Sequence, residues 1–209
     1  SASELVLVCQ RAENEVVGAP TGILDQSASL LSTDGHAVFL DCRTQESSAV
    51  PFDMAAENLL MLVIDTKVAH AHATGGYAAR RASCELGAEV LAVAALRDVT
   101  EADLAEAAGL LDEETFKRVR HIVTEDQRVL DTVAVLKAEG PSKIGPLLVA
   151  SHASMRDDFE ISCPELDLAV DTALAAGALG ARMTGGGFGG SAIALINAAS
   201  SDDVSQAIR

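Results

Sequence analysis

Three stretches hold residue types that could do chemistry. In VVGAPTGILDQSASLL, Val16 to Leu31, two glycines and a proline precede Asp25, which sits beside apolar residues at helical spacing. On residue type alone it reads as a first-turn aspartate that caps the helix or favours its dipole. In RMTGGGFGGSAIALI, Gly185, Gly186, Gly187, Gly189 and Gly190 crowd into six positions. Each costs backbone entropy that only positive φ or the close approach of another group justifies. The run formally matches G-x-G-x-x-G, but the dinucleotide fingerprint needs a strand before the glycines and a helix after them, and here a strand follows. No Gly-Lys-Ser or Gly-Lys-Thr completes a Walker A loop either, which leaves a tight bend or a ligand loop. His70 and His72, two apart, would share one face of a strand, yet nothing supplies the further ligands a metal needs.

The elements that must position these residues follow from periodicity. Glu4 to Val17 reads as a helix with Leu5, Val8, Cys9 and Ala12 on its apolar stripe, Glu13 close by, and Gly18 and Pro20 ending it. His36–Cys42, Ser47–Phe52 and Leu59–Asp65 are β-rich runs, read as antiparallel strands. Helical spacing resumes from Tyr77 to Leu96, and Thr100 with Asp103 forms a capping box that opens another helix. Glu114–Lys137 is a long amphipathic helix with Phe116, Val119, Ile122, Val123, Val129, Leu130 and Val133 on one face, stopped by Gly140 and Pro141. Pro141–Phe159 makes one more helix. The next has Ser162 as N-cap, Glu165 closing a capping box and Gly177 as terminator. Ala192–Ile196 is a buried strand, and Ser201–Arg209 lies within a helix. Strands do not alternate strictly with helices, so the expected class is α+β, with helices packed on an antiparallel sheet.

Composition narrows the function. The 209 residues are 49% hydrophobic and 22% charged, enough for one large domain or two small ones. A net charge of −16 repels nucleic acid and anionic lipid, so neither is an expected partner. Neither a membrane span nor a signal peptide is legible, and a cytoplasmic protein is expected. Cys9, Cys42, Cys84 and Cys163 form no C-x-x-C pair and should be reduced thiols. The ions of Arg156, Asp157 and Asp158 are expected to be mostly solvated.

GAPTGILDQ and RMTGGGFGGSAIALI, with SMRDDFEISCPELD between them, resemble the galactokinases, a family of the GHMP small-molecule kinases, from Glu4 to Ile208. The resemblance implies a GHMP kinase C-terminal domain of ferredoxin-like fold over residues 59–209, and over 1–58 a remnant of the N-terminal, ribosomal S5 domain 2-like domain. It also implies a use for Asp25. A sugar hydroxyl is a poor nucleophile, and an ionised carboxylate can take its proton as it attacks the γ-phosphorus of ATP. Asp25 would act on the C1 hydroxyl of galactose, with Gly22 giving close backbone approach and Tyr77, ahead of Arg80 and Arg81, touching the sugar. Glu13, twelve positions before Asp25, would ligate Mg²⁺, which needs few protein carboxylates when phosphates and water supply the rest. Glu15 reads as a solvated neighbour. The glycine loop would shape the site without gripping phosphate.

The family's Glu-His-Thr-Asp sugar motif and its Gly-Leu-Ser-Ser-Ser phosphate loop do not occur in these 209 residues. The expectation is therefore a C-terminal portion, inactive by itself, of an enzyme that makes galactose 1-phosphate from galactose and MgATP. A galactokinase-like sugar sensor and an N-acetylgalactosamine kinase are the alternatives the same motifs allow.

Overall fold

The run Ala192 to Ile196 is apolar at every position, which an antiparallel strand tolerates only when both its faces are covered. In the computed structural model, which describes residues 2–18, 21–68 and 73–209, that run is the centre of a three-stranded sheet. Strand β5 (Ser191–Asn197) lies between β3 (Leu59–Asp65) and β4 (Gly180–Thr184), antiparallel to both, with Leu59 opposite Asn197 and Thr184 opposite Ser191. Ala192, Ala194 and Ile196 turn to one core with Ala181, Met183 and Ile64, packed under α7 (Pro164–Ala175) and α8 (Ser201–Ile208) through Leu166, Val170, Ala173 and Val204. Leu195 turns the other way and joins Leu59, Val50, Leu136 and Ile144. The class is α+β, as expected.

The three early strands divide between two sheets. β1 (His36–Leu40) and β2 (Ser47–Pro51) form an antiparallel hairpin of their own, while β3 pairs across 125 or more residues of intervening chain with β5. β3 is apolar at every position from Leu59 to Ile64, so its sequence pattern alone does not assign it to a partner. Two reciprocal ion pairs hold the hairpin turn: Arg97 binds Asp41 at 2.7 Å and Arg43 binds Asp98 at 2.8 Å.

Helix boundaries depart from expectation in several places. α1 (Ala2–Arg11) runs into a wider, π-helical turn over Ala12–Val17, and its buried residue is Val6. Leu5 and Val8, on the expected apolar stripe, are exposed, as is Ala12. α3 (Ala73–Val90) stops short of Leu96 where Ala92 takes φ +54°, and a 3₁₀ turn Leu96–Asp98 follows. Thr100 and Asp103 do form the capping box, ahead of α4 (Leu104–Leu110). α5 (Glu113–Ala138) matches the long helix, but Val129 and Leu130 are exposed and Thr115, Arg118 and His121 are buried in their stead. A 3₁₀ turn, Pro141–Lys143, precedes α6 (Gly145–Asp157). At α7 the cap is Cys163, and the Ser162 hydroxyl donates to Asp167 at 2.5 Å, so the Ser162–Glu165 capping box does not form. Pro164 at the first helical position shifts the start by one residue. Gly177, at φ +99°, ends α7 as anticipated. Arg156 pairs with Asp157 at 2.7 Å, and Asp158 binds Arg120.

His121 and His152, on α5 and α6, are 5% and 3% exposed. The His121 ring stacks on Phe159 at 4.4 Å and its Nδ1 meets the Ser154 hydroxyl at 2.9 Å. Burial outweighs the nearby Glu125 and Asp158 carboxylates and lowers the His121 pKa to about 4; burial lowers His152 too. The unfolded chain therefore binds protons that the native one refuses, and stability falls as pH drops from about 6.5 towards 4, then levels off. For His121 alone the loss is about 3 kcal/mol. Urea midpoints at neutral and acid pH measure it: His121→Gln should flatten the pH dependence, and an unchanged slope in that variant would refute the assignment.

Candidate functional site

Asp25 lies in the first turn of α2 (Leu24–Leu31), whose N-cap is Ile23 with no side-chain cap bond. Ile23 and Ser27 are buried and seat the helix against α1, while Asp25 faces out. Its carboxylate has no hydrogen bond or ion pair among the described residues, so the capping role is excluded and an acid oxygen is left open beside a helix N-terminus. Gly22, three residues earlier, is exposed, and a Cβ built there would meet nothing within 4 Å. Its backbone is open to whatever approaches Asp25.

Glu13 belongs to the same unit. It sits half-buried in the π-helical turn, where the Thr21 hydroxyl donates to its Oε2 at 2.5 Å, and Gln10 Nε2 donates to the Thr21 carbonyl at 3.3 Å. These bonds tie the end of α1 to the segment that leads into Asp25. Among the described residues no three His, Cys, Asp or Glu side chains cluster to hold a metal ion. Glu13 offers one hard oxygen ligand, which suits a Mg²⁺ held mainly by phosphate and water. His70 and His72 lie outside the described residues.

A second group forms around the glycine loop, which joins β4 to β5. A strand thus precedes the glycines as well as following them, and with no helix after them the dinucleotide reading stays excluded. Gly185, Gly187, Gly189 and Gly190 all have φ between +83° and +132°, and Phe188 has φ +62°. The Phe188 N–H donates to the Ile161 carbonyl at 2.7 Å, and the Gly190 N–H to the Val68 carbonyl at 3.2 Å. The Thr66 hydroxyl returns a bond to the Gly190 carbonyl at 2.6 Å. The Phe188 ring covers Gly76, where a Cβ would sit 2.6 Å from its Cζ. Tyr77, the next residue on α3, is 40% exposed, so its neighbour rests on the loop while its own ring reaches solvent. None of the described hydrogen bonds, ion pairs or ring contacts joins this group to Asp25 and Glu13.

At Gly187 positive φ and close approach coincide: a Cβ would lie 2.4 Å from the Ile161 carbonyl oxygen. Gly187→Ala should therefore cost about 3 kcal/mol, read as a lowered denaturant midpoint. Gly186→Ala, with open space and no positive φ, is the control and should cost less than about 1 kcal/mol.

Two arginines organise the segment facing this loop: Arg80, named in the sequence only as following Tyr77, and Arg118, which residue pattern did not single out. Between α6 and α7 the chain presents four successive carbonyls, and each is taken. Arg118 Nη1 donates to Asp158 O at 2.5 Å, Arg80 donates to Phe159 O at 2.5 Å and Glu160 O at 3.1 Å, and Phe188 N–H takes Ile161 O. Arg118 is 1% exposed and also binds Glu160 at 2.7 Å and Glu114 at 3.2 Å. Its guanidinium holds the Glu160 carboxyl below the usual range. Arg80 lies over the Phe188 ring at 6.0 Å, and burial, opposed by Glu160, pulls its pKa down. A cation on the inward stripe of α5, one residue before Val119, was the available signal for Arg118.

Comparison with known proteins fits this arrangement. Residues 132–209 match the family model described as GHMP kinases C terminal. The galactokinase of Streptomyces coelicolor is 59% identical over 98% of this chain and 54% of its own length. That of Mycobacterium tuberculosis is 46% identical over 99% of this chain and 57% of its own, and that of Bos taurus 43% identical over 97% and 51%. The crystal structure of Lactococcus lactis galactokinase complexed with galactose superposes with a TM-score of 0.93 at 34% identity, covering all of this chain and 55% of that one. The chain spans about half the length of the curated relatives it matches.

Proposed function

We propose, because residues 132–209 match the model of the GHMP kinases C terminal and similar proteins are galactokinases, that the chain belongs to the GHMP kinase family and that the whole protein transfers the γ-phosphoryl group of ATP to O1 of galactose. The observation that carries the reading is the Asp25 carboxylate, without a partner among the described residues and exposed at a helix N-terminus beside the open backbone of Gly22. Asp25 removes the C1 hydroxyl proton as the oxygen attacks phosphorus, and an acceptor with no bond to surrender is ready for that proton. Gly22 lets the sugar approach the backbone, and the half-exposed Tyr77 borders it. The glycine loop, rigid through its bonds to Val68 and Ile161, fixes where that border stands. Glu13 would hold Mg²⁺, and the ion, when bound, would neutralise phosphate charge.

In this reading residues 1–58 complete an N-terminal domain and 59–209 form the C-terminal one, in a cytoplasmic enzyme. The apolar core is continuous over that division, since Val50 packs with Leu59 and Leu195. No helix among the described residues is long and apolar enough to cross a membrane.

The test is an assay of the complete protein with galactose and ATP, following ADP release and the ³¹P signal of galactose 1-phosphate. Turnover with N-acetylgalactosamine in preference to galactose would reassign the acceptor. Sugar and ATP binding without ADP release would leave a sensor and overturn the enzyme. The 209 residues alone should release ADP only at background, because phosphoryl transfer depends on positioning that a phosphate cradle must supply.

A further inference from the structure

The sheet face that carries Leu195 also borders a cavity that the proposed phosphoryl transfer does not use. It lies between the β1–β2 hairpin and helices α5 and α6, and measures about 210 Å³. Val38 and Val50 wall it from the hairpin, and Val133 and Leu148 from the helices. Its polar end is made by Glu125, Arg128 and Arg182, side chains that are 20%, 16% and 29% exposed.

The charges there do not balance. The Glu125 carboxylate is saturated: it accepts from the Ser151 hydroxyl, from Arg128, and from Arg182 at 3.3 Å. One anion thus serves two guanidiniums in a largely buried place, leaving one positive charge. Arg182 donates Nε to the Met183 carbonyl at 3.0 Å, but its Nη2 finds only the Met155 sulfur at 3.5 Å, a weak acceptor. Arg128 has no described acceptor other than Glu125. Each guanidinium carries five N–H donors, so most of those on Arg128 and three on Arg182 lack a described protein oxygen. Such donors beside an apolar cavity call for an anion with an apolar body.

Size fixes the rest. A dry cavity of about 150 Å³ holds benzene, and this one is larger by roughly the space of a carboxylate. We propose that the cavity is a binding site for a small organic monoanion, its carboxylate on Arg128 and Arg182 and its ring-sized apolar body between the hairpin and α5. An occupant would bridge the hairpin that follows the Asp25 helix to the helical layer of the C-terminal core.

Phenylacetate, phenylacetamide and phenylacetamidine are probes of one shape and three charges. Titrated calorimetrically into the full chain, phenylacetate should saturate with a Kd of about 1 mM or tighter. The neutral and cationic probes should bind at least about tenfold more weakly, since they leave the guanidiniums unmatched. Methyl NMR shifts should appear at Val38, Val133 and Leu148. Arg128→Gln should weaken phenylacetate about tenfold while leaving phenylacetamide unchanged; the probe series on the unaltered chain decides the matter if that variant does not fold. Equal binding of all three probes, shifts elsewhere, or no saturation at about tenfold the expected Kd would overturn the site.

Discussion

On the proposed function, Asp25→Asn should lower kcat for galactose phosphorylation by the complete protein about 10²–10⁴-fold, the range that a positioned general base contributes. The amide keeps the side chain's size and loses its ability to accept a proton, so the sugar's dissociation constant should move by less than about threefold. The native structure makes this a clean test. Asp25 is exposed and has no partner among the described residues, so its replacement breaks no contact. Only the favourable interaction with the α2 dipole is lost, worth about 0.3–1 kcal/mol. Rapid-quench measurement of the phosphoryl-transfer step separates chemistry from product release. A variant that retained kcat within about threefold would remove Asp25 from the mechanism.

The features legible in the sequence share one property: the residues that make them are neighbours in the chain. The Thr100–Asp103 box, the Gly177 stop and the run from Ala192 to Ile196 each need only a local pattern. Asp25 in the first turn of α2 also follows from local spacing, whereas the Thr21 bond to Glu13 comes only with the structure. What stayed hidden depends on partners far along the chain. β3 could pair with its sequence neighbour or with β5, and its own run, apolar from Leu59 to Ile64, does not mark which. Leu5 and Val8 have helical spacing yet face solvent, because the residues α1 packs on, through Val6, meet a narrower face. Ser162 looks like an N-cap until Asp167 takes its hydroxyl and Pro164 sets the first turn. Arg118 is the sharpest case. A basic residue on a long helix reads as solvated, and only tertiary structure brings Asp158 O and Glu160, forty residues on, to its guanidinium.

That arginine carries an expected effect on stability as large as the one at Gly187, and it spreads further. Arg118→Met keeps most of the buried volume and removes three hydrogen-bonded partners at once: the Asp158 carbonyl, Glu160 and Glu114. Stripping one member from a buried charge cluster costs about 3–5 kcal/mol. Glu114 and Glu160 are 66% and 46% exposed and can turn to water, which puts the loss at the lower end, about 3 kcal/mol. For a chain of this size that lowers the melting midpoint by about 10 °C. The damage should spread in a defined direction. With Asp158 O released, the segment up to Ile161 loosens, and Ile161 is what holds the Phe188 N–H of the glycine loop. Hydrogen exchange at Phe188 should therefore quicken in Arg118→Met more than exchange at Ala194 in the sheet centre, whose protection follows global stability. Arg156→Met, two residues from Asp158 but exposed and paired only with Asp157, should cost less than about 1 kcal/mol and leave Phe188 unaffected. If the two variants melt together, or if Phe188 and Ala194 change in step, Arg118 stabilises the fold as a whole and does not hold the glycine loop in place.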